Sequence, residues 1–184
     1  MATLPKTGSV TYEGWLRMLE TEGREEVVNG EIRLMPPAKF VHALVVANLV
    51  AEIQRQLDGR KFPVFSGSFG IVIRKAPLTC RIPAVAVFEK ETWVVIEGYF
   101  HSAPQLAIEV LSPSETRRLT DEKLRDYESI GIPEVWIVSP EAQTVEVLLL
   151  DNGRFRREAL LAEGLLKPQR FPHVQIDITQ IWPD

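Results

Sequence analysis

The sequence predicts one α/β domain: a mixed β-sheet core flanked by helices, with additional antiparallel hairpins. Three observations predict it. Ala84–Phe88 and Gln105–Leu111 are short, nearly continuous apolar runs, the pattern of strands covered on both faces. Lys39–Leu57 repeats apolar residues at spacings of three and four, as a helix lying on a sheet does. Asn29-Gly30 and Asp151-Asn152-Gly153 each separate two extended runs, where residues tolerant of positive φ close a hairpin.

A chain of 184 residues fits one domain, expected over residues 1–184 with Met1–Gly8 as a flexible leader. The formal net charge of −4 argues against binding nucleic acid by broad electrostatic attraction. It does not exclude a nuclease, because carboxylates that hold a metal add negative charge where phosphate must bind. Cys80 is the single cysteine, so no disulfide forms within a monomer, and it reads as a small, semi-buried side chain. No apolar run approaches the roughly 20 residues of a spanning helix, and the N-terminus lacks the pattern of a signal peptide. The expectation is a cytoplasmic protein with no membrane association.

Along the chain, Ser9 or Thr11 can cap a short helix with apolar contacts at Tyr12, Trp15, Leu16 and Leu19, ended by Gly23. Glu25–Val28 and Glu31–Leu34 form the first hairpin, stopped by Pro36-Pro37, since proline cannot donate to a ladder. The helix over 39–57 follows, terminated by Asp58-Gly59. Phe62–Phe65 and Phe69–Arg74 read as strands joined by Ser66-Gly67-Ser68. Pro83 introduces the buried strand Ala84–Phe88. Residues 89–103 are less legible; Trp93–Ile96 either extends a strand or packs in a loop. After the strand 105–111, Thr120 is positioned to cap a helix with Lys123 at its third position and Leu124, Tyr127 and Ile130 on its packing face. Glu134–Val138 is another buried strand. The tail reads as a hairpin, Thr144–Leu150 with Arg154–Ala159, and then a closing segment after Lys167-Pro168.

Chemistry concentrates on the strand–turn–helix from Leu106 to Tyr127. Alternation places Leu106, Ile108 and Val110 on one strand face and Ala107, Glu109 and Leu111 on the other, so Glu109 is a carboxylate on a largely apolar strand. Two readings stand: a buried acid satisfied by basic or backbone donors, or a ligand of a hard divalent cation. Lys123 is either part of such a site or paired with Glu122, Asp126 or another acid. Glu31 either belongs to the site or protects an exposed hairpin edge.

The blocks Val27–Glu31, Arg81–Val87, Glu109–Ser114, Asp121–Tyr127 and Gly131–Trp136 occur in an order that resembles the restriction endonuclease family within the PD-(D/E)XK nuclease superfamily. The resemblance spans roughly residues 10 to 150. It implies a restriction-endonuclease-like core and Mg²⁺ or Mn²⁺ held by an aspartate after the strand-leading proline and by the glutamate of the next motif strand. Carried onto this chain, the glutamate is Glu109, and the lysine stands on the following helix as Lys123, since the simple motif position holds Leu111. Glu31 matches an additional upstream acid, a possible second metal ligand. His42 and Tyr127 match supporting positions around the cleft. The aspartate position is Ala84, whose methyl group cannot ligate a cation. Glu89, five residues on, is out of strand phase with it.

Two functions follow. One is a divalent-metal-dependent DNA endonuclease impaired by Ala84. The other is a noncatalytic nuclease-like scaffold that binds protein or nucleic acid, for which Arg117-Arg118 and Arg154/Arg156/Arg157 could supply a basic surface. Homodimers or higher homo-oligomers are expected from the resemblance, with Trp93, Tyr99 and Phe100 as interface candidates and core filling as their alternative use.

Overall fold

The computed structural model describes residues 9–18, 24–35, 37–67, 69–113 and 117–183. The expectations placed on Met1–Gly8, Leu19, Gly23, Pro36, Ser68 and Ser114 concern residues outside that set.

Helix α1 (Tyr12–Leu16) is capped by Thr11, whose hydroxyl accepts from the Gly14 N–H at 3.0 Å. Strands β1 (Arg24–Val28) and β2 (Glu31–Met35) precede helix α2 (Phe40–Gln54). Then come β3 (Val64–Ser66), β4 (Ile71–Lys75), β5 (Leu78–Arg81), β6 (Val85–Val87), β7 (Val95–Ile96), β8 (Tyr99–Phe100) and β9 (Leu106–Val110). Helix α3 (Arg117–Ser129) leads into β10 (Glu134–Ser139), β11 (Thr144–Asp151), β12 (Arg154–Leu161), β13 (Leu165–Leu166) and β14 (Ile176–Asp177). A 3₁₀ turn over Ile178–Ile181 follows.

The strands form two six-stranded sheets and a short two-stranded ribbon. The first sheet runs β2-β1-β5-β4-β8-β7, and the second β12-β11-β10-β9-β6-β3. The second is the expected mixed core: β9 and β10 are parallel and connected through α3, whereas β6 pairs antiparallel with β9. Both predicted hairpin turns hold. Asn29 and Gly30 have φ of 54° and 81°, and Asn152 and Gly153 have 51° and 77°, as a type I′ turn requires.

Two local expectations change, and one open segment is resolved. Cys80, expected to be semi-buried, lies within β5 and is fully covered; a four-residue strand between Pro77 and Pro83 is too short for alternation to reveal. Helix α3 starts at Arg117, so Thr120 lies inside it rather than capping it. Residues 89–103 hold the two-residue strands β7 and β8. Phe100 and Trp93 pack there with Phe65, Phe69 and Phe88, and Tyr99 stacks near Trp15, so these aromatics serve the interior.

The second sheet is covered on both faces. Val45, Leu49 and Ile53 of α2, at helical spacing of four, pack on the face carrying Leu106, Ile108 and Val110. The other face, with Ala107, meets Tyr127 and Leu124 of α3 and Ile132 beyond it. Glu109 therefore points toward α3, and α3 stands between the two sheets. Among the described residues, no helix is long and apolar enough to cross a membrane.

Candidate functional site

Helix α3 makes polar contact with both sheets through adjacent stripes. Residues four apart lie on one helical face, and a step of one residue turns that face by roughly 100°. Glu122 and Asp126 address the first sheet, while Lys123 and Tyr127 address Glu109 in the second.

On the second-sheet side, Lys123 Nζ lies 3.0 Å from Glu109 Oε2 and 3.5 Å from Glu26 Oε1. Tyr127 donates its hydroxyl to Glu109 Oε1 in a short hydrogen bond. Glu26, Glu109, Lys123 and Tyr127 are all buried. Burial first, and then the neighbouring Glu109 and Glu26 charges, push the Tyr127 phenol well above its ordinary range. It is therefore a donor here, not a base.

On the first-sheet side, Arg81 is 2% exposed and gathers three acids. Its guanidinium reaches Glu26 Oε2 at 3.0 Å, Glu122 Oε1 at 2.9 Å and Asp126 Oδ2 at 2.7 Å. Burial opposes its charge, but Glu26 and Asp126 outweigh that opposition and raise its already high pKa. The Ile82 N–H donates to Glu26 Oε1 at 3.1 Å. At the rim, Arg33 pairs with Glu122 at 3.0 Å and Arg74 with Asp126 at 3.4 Å. Burial would raise the Glu122 pKa, yet hydrogen bonds from Arg33 and Arg81 hold it below its usual value. The strands arrange this group: Glu26 and Arg33 are register partners across β1–β2, so both project from one face of the sheet.

Among the described residues, the carboxylates of Glu26, Glu109, Glu122 and Asp126 face the cations of Arg33, Arg74, Arg81 and Lys123.

Of the residues singled out in the sequence, Glu109, Lys123 and Tyr127 come together. Glu31 stands exposed at the start of β2, opposite Val28 in register, and the upstream acid that meets Lys123 is Glu26. His42 is half-buried in the first turn of α2, the helix on the face opposite Glu109. Ala84 is buried at the foot of β6. Val85, the first residue of β6, pairs with Ile108, next to Glu109 in β9. The Ala84 methyl packs in the apolar cluster under α2 with Val45, Leu49 and Val110. Glu89, beyond the other end of β6, engages Arg170 at 3.1 Å.

The sequence reading missed Glu26, Arg81 and the full part played by Asp126. A signal was present: Glu122 and Asp126 are spaced to share a face of α3 beside Tyr127, which calls for facing cations. Cys80 offers no nucleophile, since burial pushes its thiol pKa far up. Of the arginines proposed as a basic surface, Arg117, Arg154 and Arg157 border a groove of about 640 Å³ between α3 and the β11–β12 hairpin, and Arg118 and Arg156 do not line it. Three of the exposed arginines pair with acids: Arg154 with Glu128 at 3.0 Å, Arg156 with Asp151 at 2.9 Å and Arg157 with Glu146 at 2.6 Å.

A hard divalent cation needs several oxygen donors. Among the described residues, no three His, Cys, Asp or Glu side chains converge to hold one. Glu109 is engaged by Lys123 and Tyr127, and the second expected carboxylate is a methyl group. Among the described residues, the side chains do not fit the ion that the resemblance implies.

Comparison with known proteins bears on the fold and the lineage. Residues 11–179 match Uma2, a family described as "Putative restriction endonuclease". A crystal structure described as "a putative nuclease belonging to DUF820" from Anabaena variabilis ATCC 29413 superposes with a TM-score of 0.77. It is 20% identical, and the match covers 94% of this chain and 97% of that one. No curated protein matches the sequence.

Proposed function

The chain belongs to the Uma2 family of the PD-(D/E)XK-like nucleases, and from that premise we propose that it is a DNA-nuclease scaffold in which phosphodiester cleavage is disabled. One observation carries this reading. Ala84, the position where the family resemblance expects an aspartate, ends in a methyl packed in the apolar cluster, so no carboxylate from that position joins Glu109. On this reading the remaining role of the protein is noncatalytic, through binding of nucleic acid or of another protein.

The discriminating experiment is titration calorimetry with Mn²⁺ on the natural chain and on Ala84→Asp, paired with plasmid and linear DNA cleavage assays in Mg²⁺ and Mn²⁺. The expected result is neither binding nor cleavage by the natural chain. Metal-dependent cleavage that Glu109→Ala abolishes would overturn the proposal.

A second reading, a DNA endonuclease active with Mg²⁺ or Mn²⁺, is favoured by one observation. Glu109, Lys123 and Tyr127 remain together and buried, accompanied by Glu26. The same cleavage assay separates the two.

A further inference from the structure

The ammonium of Lys123 lies between two buried carboxylates, 3.0 Å from Glu109 and 3.5 Å from Glu26. One of those acids belongs to the second sheet and the other to the first, while the lysine belongs to the helix between them. Arg81 repeats the arrangement a short way off, joining Glu26 of β1 to Glu122 and Asp126 of α3. Buried charges are tolerated when opposite charges and hydrogen bonds compensate them, and here each buried acid has such partners. The Glu26 oxygens are divided among Arg81, Lys123 and the Ile82 N–H; those of Glu109 are taken by Lys123 and Tyr127.

We propose that this centre is a metal-independent ionic clamp, in which Lys123 supplies the charge balance between Glu26 and Glu109 and fixes α3 to both sheets. The proposal rests on the reading of the cleavage centre as disabled, but its physical content is separate. The clamp concerns what the retained lysine and carboxylates do when no catalytic cation is required. A disabled nuclease centre left without compensation would hold uncompensated buried carboxylates. Among the described residues, the four carboxylates of this centre face four cations.

The test is a double-mutant cycle on the full chain with Lys123→Met and Glu109→Gln, read by thermal denaturation and by amide hydrogen exchange. Each single variant should lower Tm, on the order of 10 °C for a broken buried pair in a chain of this size. The double variant should lose less than the sum, because neither charge is then stranded. Exchange in Lys123→Met should rise first in α3 and β9 and stay near natural values in the β11–β12 hairpin. If a single variant does not fold while the double variant does, the coupling is shown by that recovery. Equal Tm for Lys123→Met and the natural chain would overturn the clamp. So would a double variant whose loss equals or exceeds the two single losses together, including a double variant that does not fold.

A further arm measures the Tm of the natural chain in Mn²⁺ and in EDTA, with no change expected. A rise in Mn²⁺ that disappears in Glu109→Gln would overturn metal independence, and with it the disabled-site reading. Additive losses without any Mn²⁺ effect would reject the clamp and leave that reading standing.

Discussion

Arg81 and Asp126 meet across the seam between a strand and a helix, with Nη2 2.7 Å from Oδ2 and both side chains nearly closed to solvent. Arg81 is shared by three acids, so removing it strands more than one charge. Arg81→Met should cost about 3–5 kcal/mol of stability, the range for one broken buried pair. Urea denaturation checks this, and a loss under about 1 kcal/mol would mean that water or Arg33 and Arg74 replace the guanidinium.

Ala84→Asp introduces a carboxylate where a methyl now packs among apolar side chains. In EDTA the variant should be less stable than the natural chain, because the new acid lacks a partner and displaces a methyl from an apolar cluster. Mn²⁺ should recover part of that loss by binding the folded state. A variant whose Tm ignores Mn²⁺ would show that restoring one side chain does not rebuild the site.

Acid sensitivity should trace to Glu122. Its pKa is lowered in the fold by Arg33 and Arg81 against the opposing effect of burial. A lowered carboxylate stabilises the folded state above its unfolded pKa, and that stabilisation is lost as pH falls through the folded value. Stability should therefore decline below about pH 4.5, the ordinary value for this side chain. Glu122→Gln should flatten the profile there; an unchanged slope would assign the acid loss to other carboxylates.

The alkaline limb belongs to Tyr127, whose pKa is raised by burial and by Glu109. A raised pKa gives stability that is complete below the unfolded value of 10.0 and is lost as pH rises toward the folded one. Tyr127→Phe should cost about 1–3 kcal/mol at neutral pH by leaving a Glu109 oxygen without its donor. It should also weaken the decline above pH 10. Denaturation curves at several pH values would test both parts, and a variant as stable as the natural chain would show that the hydroxyl adds nothing.

The elements that were legible in the sequence are those whose signal is local. Asn29-Gly30 and Asn152-Gly153 announce their turns because few other residues accept positive φ twice in succession. The α2 stripe and the apolar run of β9 are long enough for periodicity to speak. Strand β5 was hidden, because Leu78–Arg81 is four residues between prolines and includes the buried Thr79 and Arg81. The same limit applies to the site. Glu109 stood out as an acid in an apolar strand, whereas Glu26 follows another glutamate in β1, where the sequence does not say which one turns inward. Only its pairing with Arg33 and Arg81, set by sheet register, resolves that.

The two stripes of α3 set the length at which this helix can vary. Glu122 with Asp126, and Lys123 with Tyr127, are neighbouring stripes that must face different sheets at once. A single residue inserted between Asp121 and Glu122 would swing everything beyond it by roughly 100° relative to the preceding turn and shift it along the axis by about 1.5 Å. The inserted helix could then satisfy the arginines or Glu109, but not both in their present places. Related sequences should accordingly lengthen or shorten at the hairpin tips while keeping the spacing from Glu122 to Tyr127 fixed.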